Sequence, residues 1–340
     1  MEVSSVPDGP GALVISLDFE LHWGVRDHVG RGDPLYRRLP EARRAVTELT
    51  TLFASRDIRA TWATVGFLFA STRQELDGHL PDKRPTYERA ELDPYTEAIG
   101  LDEEQDPEHL AGSLVDLIAA TAGQEVGSHT FSHYYCLDPG QHESTFRADL
   151  GAAQSIARRR GLELTSLVLP RNQWNPAYTD AVLDLGFRCI RGPQHTWGYE
   201  ARRSGEEGAL RRAARLADAY IGLAPPPTTA WRDVLEPSGL CNVPASAFMR
   251  PFAPSRKGLE SIRVARLRAG LRHAARRGRI FHLWWHPHNF SQNHAENFGI
   301  LEKVLDEYEA LATTEGMRSL SMRDVMNSVS TGDRQRDSSA

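Results

Sequence analysis

The chain has 340 residues, 40% of them hydrophobic and 25% charged, with a formal net charge of -5 at pH 7. That balance excludes wholesale disorder and offers no electrostatic footprint for a nucleic acid. The length suits one αβ barrel of about 250 residues carrying insertions.

The first apolar run, residues 12–17, is interrupted at once by Asp18 and Glu20, so it reads as neither a signal peptide nor a membrane span. It is instead a strand of the kind buried on both faces in a parallel sheet. Residues 39–54 read as a helix, with Val46, Leu49, Leu52 and Phe53 at helical spacing. A strand follows at 60–65, a helix at 108–122, and a short strand at 125–127. The order continues with a helix over 144–160, a strand at 166–169, a helix at 177–185 and a strand at 187–190. A very apolar strand at 279–285, a helix over 296–311 and a last strand at 317–321 complete the pattern. Repeated β-then-α order predicts a parallel sheet or barrel with helices outside.

Two stretches break this rhythm. Residues 76–106 are rich in Pro, Asp and Glu and read as an insertion loop. Residues 192–258, with a helix near 209–221 and the run Pro225-Pro226-Pro227, read as a second insertion. The expected organisation is a single catalytic unit over 11–328, with a disordered polar tail at 329–340. Cys136, Cys189 and Cys241 are far apart and form no CxxC pair, which predicts a reducing compartment and hence a cytoplasmic protein.

Polar residues collect where these strands end, the place where parallel αβ folds carry their chemistry. Asp18 and Glu20 end the first strand. His129 and His133 follow the strand at 125–127, Arg171 follows that at 166–169, and His286 and His288 follow that at 279–285. His129 and His133, within the segment HTFSH, are four apart; a helical turn there would bring both imidazoles to one face. Two neutral imidazoles and one carboxylate are the protein ligands of a catalytic zinc site with an open position. Asp18 and Glu20 share a side if the chain stays extended, so that one carboxylate can ligate while the other acts as a base. The competing readings are a helix with one buried histidine, and a solvated turn. Arg171 is placed to hold a carboxylate ionised through a bidentate pair, and His286 to serve as a general acid. His282, inside its strand, reads as a core histidine. Trp23, Trp174, Trp284 and Trp285 lie near these ends and are either sugar-stacking or core residues.

With those residues assembled, the chain resembles the polysaccharide deacetylase family, the NodB-homology or carbohydrate esterase family 4 group. The likeness runs from about residue 12 to 290. It rests on Ser16-Leu17-Asp18-Phe19-Glu20, on His129-Thr130-Phe131-Ser132-His133, on Pro170-Arg171-Asn172, and on Leu283-Trp284-Trp285-His286 followed by Pro287. The usual first motif has adjacent aspartates; the spaced acids here are similar to a subgroup holding some peptidoglycan deacetylases and allantoinase-like amidohydrolases.

The resemblance implies a distorted (β/α)7-type barrel and one divalent metal, Zn²⁺ or else Co²⁺, Ni²⁺ or Fe²⁺. It also implies removal of an acetyl group from an N-acetylated sugar, which for a cytoplasmic enzyme is expected to be nucleotide- or lipid-linked. Under it, Glu20, His129 and His133 hold the metal, Asp18 held ionised by Arg171 is the base, and His286 is the acid. A small-amide amidohydrolase, a glycoside hydrolase and a non-catalytic glycan-binding relative are the alternatives.

Overall fold

The computed structural model describes residues 9–30, 33, 36, 39–192 and 227–337, with side chains up to 330. At its centre lies β1 (Ala12–Phe19), buried along its whole length. It pairs in parallel with β9 (Arg279–Trp285) on one side, and on the other with β2 (Ala60–Thr64) and β10 (Arg318–Leu320). From β2 the sheet continues in parallel through β3 (Gln124–Ser128), β4 (Ser166–Leu167) and β5 (Cys189–Ile190).

Side chains on a strand alternate between faces, and β1 divides accordingly. Leu13, Ile15, Leu17 and Phe19 join the large core shared with Ala42, Val46, Leu49 and Phe53 of α1 (Leu39–Ser55). Ala12 and Val14 face the inside of the curled sheet, in a second apolar cluster with Ala63, Val168, Cys189, Cys241 and Ile280. That inner face continues upward as Ser16 and Asp18. The interior is therefore apolar at the base and polar at the C-terminal rim. Met322 and Val325 of α8 (Met322–Asp337) close the base from below.

The other helices among the described residues are α2 (Arg73–Asp77), α3 (Gly112–Ala120), α4 (Glu143–Arg159), α5 (Thr179–Asp184), α6 (Glu260–Arg277) and α7 (His294–Glu315). With the curled, mostly parallel sheet they form the α/β barrel expected from the sequence, and no helix among the described residues is long and apolar enough to cross a membrane.

Two expectations need correction. The region 192–258 is not only an insertion, because β6 (Thr229–Ala230), β7 (Cys241–Asn242) and β8 (Ala247–Phe248) belong to the sheet. β7 pairs with β5 and β8 with β9, so the segment joining them bridges the two ends of the sheet. Ala245 N–H donates to Gly192 on one side and Ser246 N–H to His282 on the other. The helix expected at 209–221 lies outside the described residues. The tail from 329 was expected to be disordered, yet α8 runs on to Asp337. The stretch 78–111 carries two short 3-10 turns (Ala90–Leu92 and Pro94–Thr96) and no α-helix or strand.

Candidate metal centre

Asp18 in β1 and Glu20 just after it project to one side of the rim, as alternation requires. Glu20 lies one residue beyond the strand, where the chain turns into the 3-10 turn Leu21–Gly24, and its carboxylate lies directly against Gly24. A Cβ on Gly24 would stand 2.0 Å from the Glu20 carboxyl carbon, so only glycine leaves room for it. Glu20 Oε2 is 3.4 Å from His129 Nε2 and 3.3 Å from His133 Nε2, and all three residues are buried. One donor from each lies within 4.8 Å of the others.

The histidines reach this arrangement by a route the spacing did not indicate. HTFSH is a loop rather than a helical turn, with Thr130 at φ 64° and His133 at φ 57° in the left-handed region. Such backbone is uncommon for residues with a side chain and persists only where the surroundings fix it. Here they do. Asp149, projecting from α4, accepts from the N–H groups of Phe131 and Ser132 and from the Ser132 hydroxyl. Thr130 Oγ1 accepts from Tyr134 N–H at 2.7 Å, and Ser128 Oγ accepts from Thr130 N–H at 3.0 Å. Gly66 N–H donates to Thr130 O, and a Cβ on Gly66 would come within 2.6 Å of the Phe131 Cα. Burial pushes the Asp149 carboxyl up to about 7, against the pull of those donors.

His133 Nδ1 is 3.1 Å from the Tyr135 hydroxyl. Donation from Nδ1–H to that oxygen selects the tautomer with a lone pair on Nε2, the atom that faces Glu20. Burial lowers the His133 pKa to about 4, so the imidazole is neutral at pH 7. Burial alone would raise Glu20, but the imidazoles of His286, His129 and His133 hold it well below the carboxylate range.

The guanidinium at Asp18 is not that of Arg171. Arg191, directly after β5, donates from Nη1 to Asp18 Oδ1 at 2.6 Å and from Nη2 to Oδ2 at 2.8 Å. It also donates to Ser16 Oγ and to Asn172 Oδ1, and its plane lies over Trp284. Burial would raise the Asp18 pKa, and Arg191, together with the imidazoles of His129 and His286, more than reverses this, so Asp18 is ionised. Arg171 pairs instead with Asp27 and lies over the Tyr135 ring. Its turn has left-handed φ at both Arg171 (55°) and Asn172 (52°), which turns the side chain away from Asp18.

His286 is where the sequence placed it. Its Nε2 is 3.4 Å from Glu20 Oε1 and 3.8 Å from Asp18 Oδ2, and its side chain is 24% exposed, against 1% for His129 and 3% for His133. His288 stacks on it, with ring centroids 5.0 Å apart and Nδ1 3.9 Å from Glu20 Oε1. Glu20 thus lies between two imidazole pairs, of which the deeper is the better ligand pair and the more open the better placed to meet a substrate. His282 is the core residue expected: its Nδ1–H donates to Val243 O and its Nε2 accepts from the Ser16 hydroxyl. Trp23 and Trp285 are fully buried and serve packing, and Trp284 supports Arg191. Sequence reasoning missed Arg191, Asp149, Tyr135 and Asp27. Only Arg191 carried the signal used for the others, a polar residue at a strand's C-terminal end.

No family model matches the sequence, and no curated protein matches it. Solved structures do match the fold. A protein from Mycobacterium smegmatis classed as a polysaccharide deacetylase superposes with a TM-score of 0.60 at 14% identity, covering 97% of this chain and 93% of that one. One from Pseudomonas aeruginosa PAO1, of the same class, gives 0.54 at 10% identity, over 93% and 89%. The Puue allantoinase gives 0.52 at 11% identity, over 95% and 93%. The fold of this chain is the distorted (β/α) barrel found in polysaccharide deacetylases.

Proposed function

We infer that the chain is a metal-dependent hydrolase that removes an acyl group from the nitrogen of an N-acetylated sugar. The observation that carries this reading is the buried Glu20–His129–His133 donor set beside an ionised Asp18 and a partly open His286. The donors fit a divalent ion: two imidazoles and one carboxylate suit Zn²⁺, Co²⁺, Ni²⁺ or Fe²⁺, and the hydroxyl of Tyr135 orients one of the imidazoles. Bound there, such an ion supplies Lewis acidity, polarising a carbonyl and lowering the pKa of a water.

The chain's own groups do the rest. Asp18 takes the proton of the attacking water, and the Arg191 fork fixes its orientation and keeps it ionised beforehand. His286, whose Nε2 faces the two carboxylates at the rim, gives a proton to the departing nitrogen. The phenyl and indole groups of Phe248 and Trp284 pack against His286 and limit its rotation.

The test is acetate release from free, nucleotide-linked and lipid-linked N-acetyl sugars, with each of the four metals. Asp18→Asn should lower kcat by roughly 10²–10⁴-fold while retaining metal; His129→Ala should lose both. Protein that takes up no stoichiometric metal would sink the reading. The likeness to an allantoinase supports a second reading, hydrolysis of a small cyclic amide at the same site. Turnover of a ureide without acetate release from any sugar would favour it.

A further inference from the structure

We propose that the chain holds a second divalent-cation site, built from His22, Glu97 and His109, which fastens the 78–111 loop to the turn that follows Glu20. One donor from each of these residues lies within 4.8 Å of the others, and the set shares no residue with the Glu20–His129–His133 centre. His22 sits in the 3-10 turn Leu21–Gly24, while Glu97 and His109 come from the long loop. The two imidazoles meet edge to face, with ring centroids 4.7 Å apart.

The state of His109 points to a ligand. It is fully buried, and its Nδ1 lies 2.7 Å from Asp106 Oδ1. The other Asp106 oxygen accepts from Gly100 N–H, also at 2.7 Å, so the carboxylate is fixed from both sides. With Nδ1–H donated to Asp106, Nε2 presents a lone pair, and that buried atom has no hydrogen-bond partner. A buried acceptor left unpaired costs about 1–3 kcal/mol. A carboxylate behind the far nitrogen of a histidine is the arrangement that orients an imidazole toward a metal and makes it more basic.

Arg26 Nη1 stands 3.9 Å from Glu97 Oε1, beyond hydrogen-bond distance, so that guanidinium does not hold the carboxylate as a direct donor. Two imidazoles and a carboxylate suit Zn²⁺, Co²⁺ or Ni²⁺.

The ion would act as a clasp. Hydrogen bonds from His22 N–H to Glu108 O and from Trp23 Nε1–H to His109 O already join the turn to the loop. Metal at these three ligands would close the junction two residues from Glu20.

The experiment is metal counting on zinc-reconstituted, dialysed protein. Wild type should hold two zinc ions per chain. His109→Gln, Glu97→Gln and His129→Ala should each hold one, and the His109→Gln/His129→Ala double variant none. Within the His129→Ala background, zinc should slow tryptic cleavage after the loop residues Lys83 and Arg89, and adding His109→Gln should abolish that protection. Glu97 is partly exposed, so Glu97→Gln serves if His109→Gln does not fold. One ion per wild-type chain, unchanged by Glu97→Gln and lost in His129→Ala, overturns the clasp and leaves the proposed function standing. One ion lost in Glu97→Gln and kept in His129→Ala does the reverse.

Discussion

The ends of β4 and β5 differ in a way that explains how the rim is built. Both strands are two residues long, and an arginine follows each. Arg191 is fully buried and grips Asp18, whereas Arg171, 30% exposed, grips Asp27. Parity decides between them. In β5, Cys189 faces the apolar interior and Ile190 the helices, so Arg191, two residues from Cys189, points inward. Directly after β4, Val168 is the inward residue, so Arg171 has the outward parity and lies in a left-handed turn. The same rule places the remaining groups: Val14 leads to Ser16 and Asp18, and Ile280 leads to His282, Trp284 and His286. A strand-end residue becomes functional when it continues the inward face, not merely when it lies near the end.

The sharpest way to break this contrast is to remove each arginine. Arg191→Ala leaves Asp18 as an unpaired buried charge, which should cost about 3–5 kcal/mol of stability. Activity should fall on the order of 10²–10⁴-fold, since the base loses its orientation. Urea unfolding and kcat/KM read the two effects separately. Arg191→Lys keeps the charge but not the two-pronged donor, so it should restore stability more than rate. Activity within threefold of wild type in Arg191→Ala would refute the role given to this residue.

Much of this was legible in the sequence, for identifiable reasons. β1 and β9 are apolar along their length because both faces are buried, and the acids and imidazoles that end them stand out. Arg191 was legible too, through the inward parity of Cys189, but position alone drew attention to Arg171. The loop at HTFSH was not legible. A spacing of four fits a helical turn and a tight loop equally, and the β-branched Thr130 is not of a type that marks left-handed backbone. What fixes that loop is Asp149, a residue of a helix with nothing local to connect it to the histidines. β7 and β8 are two residues each, too short for any periodicity, so the closure of the sheet by 241–249 had no pattern to show.

Two smaller changes sharpen the ligand side of the comparison. Gly24→Ala puts a methyl group where the Glu20 carboxylate lies, so Glu20 must move while Asp18 and Arg191 stay. Metal affinity should drop on the order of tenfold to a hundredfold, as for other losses of ligand orientation; competition with a chelating dye measures it. Unaltered affinity would remove Glu20 from the ligand set. For Asp149, the folded pKa of about 7 lies above the unfolded value of about 3.9. Between those values the folded state holds the extra proton. Its stabilising share is therefore complete below about pH 4 and is lost as pH rises through about 7. Asn cannot titrate, so unfolding free energy in Asp149→Asn should decline less from pH 5 to pH 8 than in wild type. A steeper decline in the variant would contradict the assignment.

The smallest effect belongs to Arg171→Ala. Its pair with Asp27 is partly exposed, and pairs of that kind contribute about 0.2–1 kcal/mol. The guanidinium also covers Tyr135, a contact worth about 0.5–1 kcal/mol at such sites. Through Tyr135 the change reaches His133 Nδ1, so a few-fold loss of metal affinity is expected, with Asp18 still ionised by Arg191. The informative measurement is the acidic limb of the kcat/KM profile. That limb reports Asp18 and should stay in place in Arg171→Ala, because the partner that depresses its pKa is untouched. If the limb moves upward in pH, Arg171 shares the electrostatic control of Asp18, and the division between the two arginines becomes one of degree.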